Sequence, residues 1–140
     1  MAAMTTDIPK GDLDMQAAVF DAERIRHGEE QTRRLGYTTF VTAVHHIPSG
    51  ELAGFTELAV DPDNDQIAWQ EGTLVRKDYR GNRLGMLLKA ANVAWLQQEA
   101  PQVQRVHTWN AEENGYMLAI NLEIGYRPES AWASWQKRLG

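Results

Sequence analysis

Apolar and polar positions alternate along this chain with two different periods, and the changes of period mark out its elements. Residues 21 to 35 carry a thin apolar stripe at helical spacing and run into Gly36, which predicts a charged amphipathic helix with a glycine C-cap. Residues 38 to 45 and 51 to 60 are rich in β-branched and aromatic side chains and predict two strands. Ile47-Pro-Ser-Gly50 makes a hairpin connection between them, Asp61-Pro-Asp-Asn-Asp65 a second turn, and residues 66 to 76 a third strand. Residues 82 to 99 predict a helix that Pro101 ends. In it Leu84, Leu87 or Leu88, Ala91 and Trp95 recur at helical spacing and form the face expected to pack on the sheet. Burying each large side chain of that face is worth roughly 1.5–3 kcal/mol, enough to hold the helix start in place without a ligand.

Beyond Pro101, residues 103 to 109 predict a strand and 114 to 124 a helix capped by Gly125. Residues 126 to 137 predict a closing extended pair, with Trp132 and Trp135 on opposite faces and at least one of them in a core or interface. Residues 1 to 16 are polar, broken by Pro9 and Gly11, and read as an extended leader. The order α-β-β-β-α-β-α-β(β) is an antiparallel meander leading into one βαβ crossover. It implies an α/β (α+β mixed) protein with a mixed, mostly antiparallel sheet and flanking helices, spanning residues 1–140 as a single domain.

Composition narrows the function. With 43% hydrophobic and 24% charged residues the chain is of ordinary globular type. Its net charge of −5 argues against general binding to nucleic acid or an anionic membrane surface, and no apolar run approaches the ~20 residues of a membrane span. There is no cysteine, so disulfides, thiolate nucleophiles and cysteine-held metals are excluded; a cytoplasmic protein is expected. His45 and His46 are adjacent on a strand and face opposite ways, which disfavours a shared metal. The acidic turn at 61–65 lacks the glycine and closing glutamate of a calcium loop, so no metal is expected.

The chemistry concentrates between Val75 and Met86. Here a strand passes through the basic, glycine-bearing turn Arg76-Lys-Asp-Tyr-Arg80-Gly-Asn-Arg83-Leu-Gly85 straight into a helix. A helix start offers unpaired N–H groups and the positive end of the macrodipole, and is therefore a natural seat for phosphate. Neither GxxxxGK[ST] nor GxGxxG occurs, which excludes the usual nucleotide-binding turns.

These residues resemble the GCN5-related N-acetyltransferase (GNAT) superfamily. Val75 followed by Arg80-Gly81-Asn82-Arg83-Leu84-Gly85 stands in the register of its Arg/Gln-x-x-Gly-x-Gly/Ala signature. Trp109-Asn110 and Asn114 to Gly125-Tyr126 are similar to its next strand and helix end. The resemblance covers residues 38 to 137 and is strongest to domains of bacterial tandem-domain acetyltransferases. It implies acetyl-CoA as cosubstrate, with its diphosphate on the N–H groups of Arg80, Gly81, Asn82, Arg83, Leu84, Gly85 and Met86. It also implies pantetheine along Leu74, Val75 and Arg76, with Asn110, Asn114 and Asn121 near the pantetheine arm or thioester.

Transfer to an amine needs a base, an oxyanion donor and an acid for the thiolate. Glu57 and Glu71 on neighbouring strands are the candidate bases, and a backbone N–H near Val75 the oxyanion donor. The tyrosine common four residues before the helix-end glycine is here Asn121, which leaves Tyr116 as the substitute acid. Arg83 stands where the first signature glycine belongs: helical backbone there would let its guanidinium add a phosphate contact, whereas positive φ would damage the seat. The resemblance further implies a first strand that the leader does not visibly supply, and hence a missing partner domain or a homodimer. The expected function is acetyl transfer from acetyl-CoA to a small-molecule amine. The alternatives are a non-catalytic acyl-CoA-binding half-domain and a nucleotide-phosphate binder.

Overall fold

The computed structural model describes residues 22–133 together with Trp135 and Lys137, so the leader lies outside the described residues. Helix α1 (Ala22–Arg34) leads into strands β1 (Thr38–His46), β2 (Glu51–Asp61) and β3 (Asn64–Val75). A short 3-10 turn at Lys77–Tyr79 precedes helix α2 (Leu84–Glu99), followed by β4 (Arg105–Thr108) and α3 (Gly115–Ile124). The strands form one sheet in the order β1-β2-β3-β4. The first three are antiparallel, while β4 runs parallel to β3 as the crossover through α2 requires. Among the described residues of 126–137 there is no strand, so the expected closing pair is not formed there. Pro128 has no N–H to give a ladder, and Trp132 lies edge-on against the Trp109 ring, 5.1 Å between centroids. Trp132 and Trp135 are 77% and 93% exposed, so neither belongs to a core.

Two turns use backbone that glycine adopts most readily. Gly36 closes α1 at φ 81° and Gly50 closes the first hairpin at φ 67°, its N–H donating to His46 O at 2.8 Å. Phe40, Leu58, Val60 and Ala68 of the sheet pack with Leu96 and Ala100 in the core. Gly54 lets β2 and β3 approach α2: a Cβ there would sit 2.7 Å from Leu74 O and 3.2 Å from Leu88 Cδ1.

The buried face of α2 is Gly85, Leu88, Lys89, Asn92 and Leu96. This corrects the apolar stripe: Leu87 and Trp95 are 57% and 41% exposed, although Trp95 touches Phe40 edge-to-face at 5.0 Å. The shift has a hydrogen-bonding cause. Asn92 accepts from Thr42 Oγ1 at 2.9 Å and donates to Phe40 O at 3.0 Å, clamping the helix to β1. Lys89 Nζ donates to Asn121 Oδ1 at 2.6 Å, joining α2 to α3. Two polar residues thus take buried positions that hydrophobicity alone assigns to their neighbours. Helix α1, by contrast, buries no residue completely.

Candidate active site

Strands β3 and β4 pair only from Ile67 with Arg105 to Gln70 with Thr108. Beyond that point β3 continues alone to Val75, still paired to β2 on its other side. Arg76 N donates to Ala53 O at 2.9 Å, so alternation directs the amides of Leu74 and Arg76 toward β2 and those of Thr73 and Val75 toward the uncovered side. Of the three residues expected to offer backbone to a ligand, only Val75 does so. Its carbonyl accepts from Arg80 Nε at 3.0 Å, and Thr73 is a further candidate that sequence reasoning missed.

The turn after β3 delivers the chain to α2. Gly81 lies at φ 83°, and Asn82 Nδ2 donates to Tyr79 O at 3.1 Å, folding the turn on itself. Arg83 is the N-cap of α2 at φ 57°, the left-handed region, and no side chain caps the helix. Its carbonyl accepts from Leu87 N, which leaves the N–H groups of Leu84, Gly85 and Met86 without an intrahelical acceptor. The signature glycine has thus been replaced at a position that does use positive φ; the strain is of order 1–2 kcal/mol, but the three N–H groups stay open, so the damage expected of positive φ does not follow. The guanidinium of Arg83 donates to Glu123 Oε1 at 2.7 Å, turning toward α3. Arg76 is likewise engaged, by Glu51 at 3.1 Å and Asp78 at 3.4 Å, and it covers the Tyr79 ring. Gly85 is a contact glycine: a Cβ there would meet Ile120 Cδ1 at 3.1 Å.

Glu57 and Glu71 come together. Thr56 pairs with Thr73 and Leu58 with Gln70, so Glu57 faces two residues, Glu71 and Gly72, across a β-bulge. Gln70 Nε2 holds that irregularity by donating to Glu57 O at 2.6 Å and Thr56 Oγ1 at 3.0 Å; its Oε1 is buried with no partner among the described residues. The two carboxylates line a cleft of about 440 Å³ with Thr32, Tyr37 and Trp69. Burial, then the charge of Glu71, then that of Glu29, hold the Glu57 carboxyl above its usual range. Trp69 is stacked on Trp109 (centroids 6.4 Å apart, 7° between planes) and lies 5.2 Å from the His107 ring. Sequence reasoning missed Trp69, although it stands two residues before Glu71 on the same strand face.

The three asparagines separate. Asn110 and Asn121 border a second cleft, of about 730 Å³, between β4, α3 and residues 125–130. Asn121 is 4% exposed and its carbonyl is taken by Lys89. Asn114 is the N-cap of α3, accepting from Met117 N at 3.3 Å. Tyr116, on the first turn of α3, is 57% exposed. Lys89, buried to 1% exposure, is held by burial near a pKa of about 8 and lies 4.9 Å from the Tyr126 ring centre.

A parallel pair that parts at mid-sheet and opens onto an uncapped helix start is the arrangement expected of the acetyltransferase fold. The comparisons agree. The profile of the Acetyltransferase (GNAT) family matches residues 10–122, and the chain belongs to that family. A solved tandem GNAT protein from the clavulanic acid biosynthesis pathway is 35% identical with a TM-score of 0.73, covering 76% of this chain. This chain spans 33% of that one, about a third of its length. A Trypanosoma brucei acetyltransferase (18% identity, TM-score 0.65) covers 88% of this chain and 84% of its own. Glucosamine-6-phosphate N-acetyltransferase from Arabidopsis thaliana (16%, TM-score 0.61) covers 87% and 82%, and these two matches concern the fold alone. No curated protein matches the chain. Among the described residues no helix is long and apolar enough to cross a membrane.

Proposed function

We propose that this chain is an N-acetyltransferase domain moving an acetyl group from acetyl-CoA to a small-molecule amine by direct attack. The observation that carries the reading is the parting of β3 from β4 beyond Gln70 and Thr108, continuous with the open N–H groups of Leu84, Gly85 and Met86. A diphosphate requires several convergent donors, and this helix start supplies them with its dipole aligned. An amide-bearing arm requires unpaired strand backbone, and Val75 and Thr73 supply it. In this reading Arg80 stands at the junction of the two, while Arg83 is committed to Glu123 and adds little to the phosphate seat.

Glu57 suits the base. A carboxylate raised toward neutral pH accepts a proton from an ammonium group more readily than an ordinary one. The freed amine attacks the thioester carbon, an N–C bond forms, and the oxyanion is met by the Val75 N–H. The C–S bond then breaks, the thiolate takes a proton from Tyr116 or from water, and the nitrogen gives its second proton to the tyrosinate or hydroxide so formed. Glu71, at the end of the paired segment, is the alternative base. The test is release of free thiol from acetyl-CoA over a panel of amines. Amine-dependent release that falls at least 100-fold in Glu57→Gln supports the reading. If no amine accelerates release, the non-catalytic acyl-CoA-binding alternative stands instead. The tandem relative supports a second proposal, that a partner domain or a second copy completes the acceptor side; light scattering on the full protein checks it.

A further inference from the structure

The cleft beside Glu57 also carries information about the acceptor, on the premise that the acetyltransferase reading holds. Its described lining contains two carboxylates, Glu57 and Glu71, and no lysine, arginine or histidine. The two carboxylates come from adjacent strands, β2 and β3. One carboxylate is sufficient to take the proton of a reacting ammonium. Glu71, the other lining carboxylate, then faces the acceptor as a negative charge with no described cation in the lining beside it. The wall is aromatic as well as acidic. Trp69 lines the cleft and is backed by the parallel ring of Trp109, and an indole face attracts cations through its quadrupole. The cleft of about 440 Å³ falls within the size range of small-molecule sites.

We infer that the acceptor is a small amine carrying a second positive charge and no anionic group, with that charge held between Glu71 and the face of Trp69. A carboxylate- or phosphate-bearing amine has no described cation to meet it in this cleft and would lie against two like charges. A monoamine would leave one carboxylate without a partner. The reaction is unchanged: one amine loses its proton to Glu57 and becomes the amide, while the second cation only binds.

Three acceptors of equal chain length isolate the effect: 1,4-diaminobutane, butylamine and 4-aminobutanoate. Thiol release from acetyl-CoA should favour the diamine over butylamine by at least tenfold in kcat/KM, with 4-aminobutanoate weakest. Raising the salt concentration should narrow the preference. Glu71→Gln should reduce the diamine-to-butylamine ratio toward one, a change that loss of catalysis alone would not produce. A ratio near one in the unaltered protein, or 4-aminobutanoate turned over as fast as butylamine, overturns the inference.

A second readout needs no turnover: titration of the CoA-loaded protein with each amine, followed by tryptophan fluorescence. Tenfold tighter binding of the diamine, lost in Glu71→Gln, supports the inference. Equal or undetectable binding of all three overturns it. Tight diamine binding without any thiol release would leave the cation site standing and remove the acetyltransferase reading, so the two claims fail separately.

Discussion

Replacing Lys89 with methionine removes a buried cation while keeping a chain of similar length. The folded protein lowers the Lys89 pKa from 10.5 to about 8 by burial, and its one polar partner among the described residues is Asn121 Oδ1 at 2.6 Å. Between these two values the unfolded chain holds a proton that the folded chain has released, so stability rises with pH across that window. Below about pH 8 the penalty is present in full, and it is gone above 10.5. Tyr126 acts oppositely. Burial holds its pKa up to about 12, against 10.0, so stability falls as pH climbs from 10 to 12. The clean interval is therefore pH 8 to 10. At 1.36 kcal/mol per unit, the Lys89 contribution there is about 2–3 kcal/mol. The assay is urea unfolding at pH 7, 8, 9 and 10, comparing the unaltered protein with Lys89→Met, so that other titrating groups cancel in the difference. The variant leaves Asn121 Oδ1 without a donor, which costs about 1–3 kcal/mol and offsets its gain at neutral pH. Lys89→Met combined with Asn121→Leu removes that offset. The pH slope of the difference is the decisive quantity. If both proteins gain stability equally from pH 8 to 10, Lys89 keeps its proton on folding and the reasoning is refuted.

Three further outcomes follow from the same geometry. Tyr126→Phe removes a buried hydroxyl with no partner among the described residues, and should raise stability by about 1 kcal/mol in thermal unfolding; a loss of that size would show that the hydroxyl is satisfied. Glu57→Gln should be at least as stable as the unaltered protein at pH 7, since a carboxyl with raised pKa loses stability as pH climbs through its folded value; calorimetry at pH 5 and 7 checks this beside the thiol-release assay. Arg83→Val puts a β-branched residue at φ 57° and should lose about 1–2 kcal/mol, whereas Arg83→Gly should keep its CoA affinity because the exposed Glu123 pair contributes at most about 1 kcal/mol; isothermal titration with CoA decides the second part.

Period and turn chemistry carried most of the fold. The three meander strands, both turns between them and the helices ending at Gly36 and Gly125 stand where spacing and glycine placement put them, to within a residue or two. The phase of α2 was not legible in the same way. Lys89 and Asn92 are buried because partners on α3 and β1 await them, and such partners are invisible to a local pattern. For the same reason Asn121 and Asn114 look alike in the chain, yet one is bound to Lys89 and the other caps a helix. The pairing of Glu57 with Glu71 follows from strand adjacency. The bulge that brings two residues opposite Glu57 depends on register between strands and emerges only in three dimensions, whereas Trp69, two residues before Glu71, was within reach of strand alternation.

The central claim is that coenzyme A docks with its diphosphate at the start of α2 and its arm along the freed edge of β3. Titrating isotope-labelled protein with coenzyme A while following backbone amide resonances tests it most directly. The largest shifts should fall at Leu84, Gly85 and Met86, with Val75 and Thr73 next. Shifts concentrated elsewhere, with those five amides unmoved at saturation, would contradict it.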